Sequence, residues 1–218
     1  MTQGYLVGEV VRRITGRSLG AFFREEVAEP LGADFHIGFG PELDSRVAEL
    51  TPPPPGGQIS GVEPSELLLQ MMSNPPINPL DTRTRAWRAA EIPAAGGHGN
   101  ARSIAEIHVI LANGGIAKGK RFLSEAGCRK ALEPQIEGID LILSAPVKYG
   151  MGFGLPPCLV EMPNPNSIFW GGYGGSLIII DMDARTTFAY AMNRMNLTTV
   201  GDERSRVICQ AMWKALSD

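Results

Sequence analysis

The sequence is poor in cysteine, has no long apolar run and carries no excess of either charge. Its 218 residues include three cysteines and have a formal net charge of −3, without a basic block. Three scattered cysteines argue against a disulfide framework and favour a reducing compartment. The lack of a basic block argues against nucleic acid or an anionic membrane as partner. The longest apolar run, Leu177 to Ile180, is too short to span a membrane. We therefore expect a globular, cytoplasmic protein.

Sequence patterns typical of metal and cofactor sites are also absent. There is no zinc spacing, no phosphate-binding glycine loop and no dinucleotide fingerprint. His36, His98 and His108 have no neighbouring acid and nucleophile in the sequence, and we interpret all three as structural. We expect neither a metal nor a cofactor.

One pattern could indicate a catalytic serine, because Gly16-Arg17-Ser18-Leu19-Gly20 has the spacing of a nucleophile elbow. An elbow requires a strand before the serine and a helix after it. Residues 2–15 instead have apolar residues at helical spacing. Ser18 is better interpreted as the N-cap of a second helix, so we reject the elbow.

The first part of the chain has helical patterns, and the last part has strand patterns. We predict helices over 2–15, 19–29, 65–73, 103–111, 124–132 and 203–216. Pro30 should close the second helix, and Ser103 with Glu106 should form a capping box. We predict strands over 149–155, 168–170, 177–182 and 187–192, the last two joined by a tight turn. In the final helix, Val207, Ala211 and Leu216 should face inward.

The most unusual stretch is Phe169-Trp170-Gly171-Gly172-Tyr173-Gly174-Gly175-Ser176, which leads directly into Leu177 to Ile180. Glycine weakens a strand interior, so four glycines indicate a close approach of another group. A bulge or bend at a sheet corner is one interpretation, and the local pattern favours it. The other is a strand edge whose free backbone N–H groups bind a developing oxyanion.

Several segments match one enzyme group in order and spacing. They are Gly4 to Val11, Thr15 to Leu19, Pro30 to Gly32, Pro93 to Gly97, Asn113 to Gly115, Tyr149 to Gly154, Trp170 to Gly172 and Asn193 to Met195. Together they resemble the serine hydrolases that include class C β-lactamases, penicillin-binding proteins and family VIII esterases. The resemblance implies an α+β fold of the β-lactamase/transpeptidase type.

That group forms an acyl-enzyme on the serine of a Ser-x-x-Lys motif, and the lysine and a tyrosine move the proton. No serine in this sequence is followed three residues later by lysine. The chain therefore resembles the C-terminal half of such an enzyme. Residues 1–145 would be its mainly helical region. Residues 146–218 would complete an α/β domain whose N-terminal part is absent. We expect the chain alone to be inactive in acyl transfer.

The resemblance assigns four site residues. Trp170, Gly171 and Gly172 would form the substrate-binding wall, and the backbone N–H of Tyr173 would be an oxyanion-hole donor. β-Lactam-directed members usually carry lysine at the position of Trp170, where its charge suits a substrate carboxylate. Tryptophan lacks that charge, so a small ester or amide is the expected substrate.

Two alternatives remain open at this point. The chain could be a non-catalytic binding module that retains the pocket wall. It could also be a fragment of a true β-lactamase or a D-alanyl-D-alanine peptidase. If the chain is a fragment, the missing half would leave Leu177 to Ile180 and Phe188 to Ala191 with an unpaired edge or apolar face. We therefore expect self-association through an exposed sheet edge.

Overall fold

The computed structural model describes residues 1–55, 65–76, 78–158 and 160–217, and it divides into two compact units. Unit 1 comprises residues 1–51 and 79–107, and unit 2 comprises residues 52–78 and 108–218. The α-helices are α1 (Thr2–Thr15), α2 (Leu19–Phe23), α3 (Glu29–Leu31), α4 (Glu66–Ser73), α5 (Arg85–Ala89), α6 (Ala101–Ala112), α7 (Glu125–Arg129) and α8 (Glu203–Ser217). The strands are β1 (Phe35–Ile37), β2 (Gly97–Gly99), β3 (Ile116–Ala117), β4 (Lys120–Arg121), β5 (Ile136–Asp140), β6 (Ala145–Tyr149), β7 (Ser167–Gly172), β8 (Ser176–Asp181) and β9 (Thr186–Tyr190).

The beginning of unit 1 follows its sequence signals closely. Helix α1 ends at Gly16, which has φ 71° and donates its N–H to the Arg12 carbonyl. The left-handed backbone there suits glycine, which lacks the Cβ that would clash. The Ser18 hydroxyl accepts a hydrogen bond from the N–H of Ala21 at 3.2 Å. A helix precedes this serine, so the rejection of the nucleophile elbow is confirmed.

Two predictions for unit 1 are wrong. Pro30 does not close the second helix, because the helical path continues through a π-helical turn, Arg24–Ala28, into α3. Pro30 occupies the start of α3, where its missing N–H is tolerated, and Gly32 ends the path with φ 61°. The capping box at Ser103 does not form either. Asn100 caps α6 by accepting from the Ser103 N–H, while the buried Ser103 hydroxyl accepts from the N–H of Asp34.

The antiparallel sheet in unit 2 positions the glycine-rich stretch. Strand β8 lies between β7 and β9, and β5 and β6 form a separate hairpin. Helix α8 packs on one face of this sheet, where Phe169, Ile179 and Phe188 contact Cys209 and Trp213. Burying each large apolar side chain there contributes roughly 1.5–3 kcal/mol. Helices combined with antiparallel strands confirm the α+β class.

Two further predictions fail in unit 2, and one strand was missed. Val207 and Leu216 are more than half exposed and Ala211 is exposed, because Cys209 and Trp213 define the packed face of α8. The strand predicted over 149–155 is displaced, since β6 ends at Tyr149 and only Gly154 makes bridges beyond it. The partner strand β5 was not predicted.

The sequence predicts an unpaired edge or an exposed apolar face at the last two strands, and the described part of the structure shows such an edge but no exposed apolar face there. Leu177 to Ile180 and Phe188 are buried, whereas Leu6, Val10 and Ile14 on α1 are all more than half exposed. Within the described ranges β9 pairs only with β8, so its other edge is unpaired there. None of the described helices has the length and apolar character needed to cross a membrane. The division predicted at residue 145 refers to a longer fold and stays a prediction.

Candidate active site

The glycine-rich stretch forms the end of β7 and the turn into β8. Gly172 pairs with Ser176, so the turn consists of Tyr173, Gly174 and Gly175. Gly174 has φ 106° and Gly175 has φ 108°, a backbone conformation that residues with a Cβ rarely adopt. The two glycines therefore permit this turn, and the stretch is neither a continuous strand nor a simple bulge.

The segment before α8 holds this turn in place. The N–H of Gly174 donates to the Thr198 carbonyl at 2.8 Å, and the Gly174 carbonyl accepts from the N–H of Asn196 at 3.0 Å. A Cβ on Gly175 would lie 2.6 Å from a carboxylate oxygen of Asp202. The Arg204 guanidinium is hydrogen-bonded to that carboxylate and holds the Asp202 pKa below its usual range. The turn is thus fixed by backbone and charged contacts.

Tyr173 is the first residue of this turn. None of the described residues accepts a hydrogen bond from the Tyr173 N–H. A buried N–H normally has a partner, and Tyr173 is half-buried. Burial also raises the pKa of its phenol. A fixed, unpaired N–H is the geometry that an oxyanion donor needs, because it requires no reorganisation during the reaction.

Gly171 allows another segment to approach β7 closely. A Cβ at Gly171 would lie 2.7 Å from both the Thr199 carbonyl oxygen and the Val200 Cα. Real Cβ atoms do not approach backbone atoms so closely, so only glycine fits without a shift. The close approach predicted from the glycine cluster is therefore made here by the protein's own backbone.

A pocket of about 190 Å³ lies beside β7 in unit 2. It is lined by Leu143, Pro146, Val147, Lys148, Tyr149, Cys158, Phe169, Trp170, Gly171, Thr199 and Val200. The rings of Tyr149 and Trp170 lie 5.8 Å apart with an interplanar angle of 57°. The structure thus places Trp170 and Gly171 in a pocket wall, while Gly172 and Tyr173 continue from it to the turn.

Sequence reasoning missed the other side of this pocket, which the β5–β6 hairpin supplies. Asp140 organises the hairpin turn, because its carboxylate accepts from the N–H groups of Ile142 and Leu143 at 2.8 Å. The same carboxylate accepts a long bond of 3.4 Å from the Tyr149 hydroxyl. Burial, the nearby charge of Asp140 and this bond raise the Tyr149 pKa. Tyr149 was assigned to a strand from the sequence, but nothing local indicated its contact with Trp170.

The histidines lie apart from this pocket's lining. His36 and His98 are register partners on β1 and β2 of unit 1, and His36 is hydrogen-bonded to Asp34. The ring of His108 packs edge-on against Phe153. Among the residues that the structure describes, no group of histidine, cysteine and carboxylate side chains could hold a metal ion.

Comparisons with known proteins agree in both sequence and fold. The esterase/beta-lactamase LipL of Mycobacterium tuberculosis is 29% identical over 219 residues, covering 89% of this chain and 47% of LipL. A family VIII carboxylesterase of known structure is 37% identical with a TM-score of 0.85, covering 95% of this chain and 55% of that chain. A penicillin-binding-protein homologue from Caulobacter crescentus is 31% identical with a TM-score of 0.82, covering 97% and 56%.

The chain thus spans about half the length of these relatives. Their likeness confirms the β-lactamase/transpeptidase-like fold predicted from the sequence segments. The family model for beta-lactamases matches residues 1–211, almost the whole sequence. On this match, the chain belongs to the β-lactamase family.

Proposed function

We propose that this chain supplies the substrate-binding wall and one oxyanion-hole donor of a β-lactamase-like carboxylesterase. The observation that carries the proposal is the backbone N–H of Tyr173, which has no acceptor among the described residues, at a turn held by Thr198 and Asn196. Such a donor would stabilise the negative charge that develops on an ester carbonyl during acyl transfer. Removing one oxyanion donor typically costs about 10²–10³ in rate.

The proposed substrate is an ester that does not depend on a carboxylate. Trp170 is 44% exposed at the pocket, in the position where β-lactam-directed members carry lysine. An indole ring offers apolar surface and a π face instead of a charge for a carboxylate. The family VIII carboxylesterase at 37% identity supports an esterase over a β-lactamase.

The proposed reaction proceeds through an acyl-serine, whose nucleophile the 218 residues do not supply. In this group the serine alcohol attacks the ester carbonyl, and the carbonyl oxygen becomes the oxyanion that a donor such as Tyr173 N–H would bind. Because the sequence has no Ser-x-x-Lys motif, the chain alone should have no covalent route. Its role in the isolated state would be ligand binding without turnover.

The donor can be tested by amide NMR on the isolated chain. The probe is benzylacetone, the ketone in which a methylene replaces the ester oxygen of benzyl acetate. Its carbonyl should accept from the Tyr173 N–H and move that amide signal downfield. The neighbouring amide of Gly174 is the internal control, because it is already bonded to Thr198. A titration that leaves the Tyr173 signal in place, at saturating ketone, would contradict the donor assignment.

The lack of turnover has its own assay. We expect no stoichiometric burst of p-nitrophenol when the chain is mixed with p-nitrophenyl acetate. A burst that prior treatment with a fluorophosphonate probe blocks would show a competent serine nucleophile. That result would refute the inactivity of the isolated chain and leave the esterase assignment standing.

A further inference from the structure

The pocket beside β7 has features that select one kind of ligand group. We propose that it binds a single uncharged aromatic ring of the ester, and that the ion pair of Glu137 and Lys148 excludes rings that carry a negative charge. This inference rests on the proposed esterase function and adds the substrate class and a specificity-determining pair.

Size is the first argument. An apolar protein cavity of about 150 Å³ accommodates benzene, and this pocket measures about 190 Å³. Drug-sized ligands need roughly 300 Å³ or more. One ring with a short substituent therefore matches the size of the pocket.

The lining favours an aromatic over an aliphatic group. The rings of Tyr149 and Trp170 lie 5.8 Å apart, and both residues line the pocket. Ring pairs at such distances gain about 0.5–1.5 kcal/mol beyond the burial of their area. The Asp140 carboxylate stabilises the position of the Tyr149 ring, because it accepts hydrogen bonds from the Tyr149 hydroxyl and from the N–H of Leu143 in the hairpin turn.

Among the described residues that line the pocket, Lys148 alone is cationic, and its charge is already paired. Its Nζ lies 3.5 Å from a carboxylate oxygen of Glu137, its register partner on β5. The lysine side chain is 25% exposed and the glutamate 64% exposed. The pair therefore offsets the lysine charge that a ligand carboxylate would otherwise meet in the lining. Glu137 thus acts on specificity through Lys148.

The pocket is also at a suitable distance from the proposed oxyanion donor. Gly171 lines the pocket, and Tyr173 follows it by two residues. Two residues of extended chain span about 7 Å. A phenyl ring with a two-atom linker to a carbonyl covers a similar length. One ester could therefore place its ring in the pocket and its carbonyl at the turn.

Binding of three ketones by the full chain tests the ring selectivity. The ligands are benzylacetone, its cyclohexyl analogue and its para-carboxylate, and titration calorimetry gives their dissociation constants. Benzylacetone should bind about two- to tenfold more tightly than the cyclohexyl analogue. It should bind at least about tenfold more tightly than the carboxylate, because an unpaired charge resists burial. If the cyclohexyl analogue or the carboxylate binds as tightly as benzylacetone, the corresponding part of the proposal is overturned.

Two substitutions locate the effects on the structure. Trp170→Ala should lower the affinity for benzylacetone by about two- to tenfold. Leu141→Ala, at an exposed residue outside the lining, should leave that affinity unchanged. Glu137→Gln should raise the affinity for the para-carboxylate ligand by about two- to fivefold and leave the affinity for benzylacetone unchanged. Its matched control is Glu125→Gln, which removes another exposed ion-pair carboxylate of unit 2. An unchanged carboxylate affinity in Glu137→Gln overturns the role of the pair.

The same titrations separate this inference from the proposed function. One outcome is that benzylacetone shifts the amide signals of Trp170 and Cys158 but not that of Tyr173. That result would support the ring pocket and contradict the oxyanion donor. If only the Tyr173 signal shifts, the result supports the oxyanion donor and contradicts the ring pocket. Thermal unfolding of each variant verifies that the variants remain folded.

Discussion

A single methyl group at Gly171 should disturb both the stability of the chain and the pocket. A Cβ there would lie 2.7 Å from the Thr199 carbonyl oxygen and the Val200 Cα. Both are backbone atoms, so no side-chain rotation relieves the contact. The segment cannot retreat easily, because the Thr198 carbonyl is bonded to Gly174 and the Thr198 hydroxyl donates to the Gly201 carbonyl at 2.7 Å.

The size of the effect follows from a matched control at Gly138. Gly138 also lies in a strand, and a Cβ there meets no atom within 4 Å. Gly→Ala restricts the unfolded chain at either site and by itself stabilises by about 0.4–1 kcal/mol. The difference between the two variants therefore isolates the native-state contact. Overpacking of this kind costs about 1–3 kcal/mol. We expect Gly171→Ala to melt roughly 2–12 °C below Gly138→Ala.

The assay is thermal unfolding followed by circular dichroism, with benzylacetone binding measured on the same samples. Because Thr199 and Val200 line the pocket, Gly171→Ala should also lower the affinity for benzylacetone, whereas Gly138→Ala should leave it unchanged. If Gly171→Ala is as stable as Gly138→Ala and binds the ketone equally well, the segment before α8 does not constrain β7. The reasoning from close backbone approach would then be refuted.

Three other predictions follow from named contacts. The unpaired edge of β9 and the apolar face of α1 should cause concentration-dependent self-association in sedimentation velocity, and a monodisperse monomer at all concentrations would contradict this. The Arg204 guanidinium lowers the pKa of Asp202 in the folded chain. The pair should therefore stabilise the chain fully at a pH above the pKa of this carboxyl in the unfolded chain. This stabilisation should disappear as the pH falls through the lower pKa of the folded state. Asp202→Asn should therefore flatten the acid limb of the stability curve. Burial raises the pKa of Cys209 to about 11 and also raises that of Cys128, so both thiols should react with iodoacetamide only after unfolding.

Local signals in the sequence predicted local structure well. Ser18 and Ser124 cap helices as expected, since a cap depends only on atoms two or three residues away. The strands β7, β8 and β9 were found within two residues of their bounds, because a continuous β-branched run has few alternatives. The capping box predicted at Ser103 was wrong because Asn100, three residues earlier, competes for the same free N–H groups.

Features that depend on distant partners were not predicted. Helix α8 carries apolar residues around most of its circumference, so periodicity alone could not choose between Val207 and Trp213 as the packed side. The sheet decides, because Cys209 and Trp213 meet Phe188 and its neighbours. The wall that the β5–β6 hairpin gives the pocket was missed for the same reason. For the site, the sequence indicated the glycine turn and Trp170 but not Tyr149 or Asp140, whose roles arise only in the folded chain.

One segment links the two halves of the proposed site. Thr198 and Asn196 fix the turn that presents the Tyr173 N–H, and the next residues, Thr199 and Val200, line the ring pocket. A displacement of this segment must therefore move the oxyanion donor and the pocket wall together. Asp202 ties the segment to the start of α8 by accepting from the N–H of Arg204 and from the side chain of Asn196. In the proposed site, the position of α8 on the sheet would then set both the binding of the ring and the placing of the carbonyl, although none of the α8 side chains that the structure describes lines the pocket.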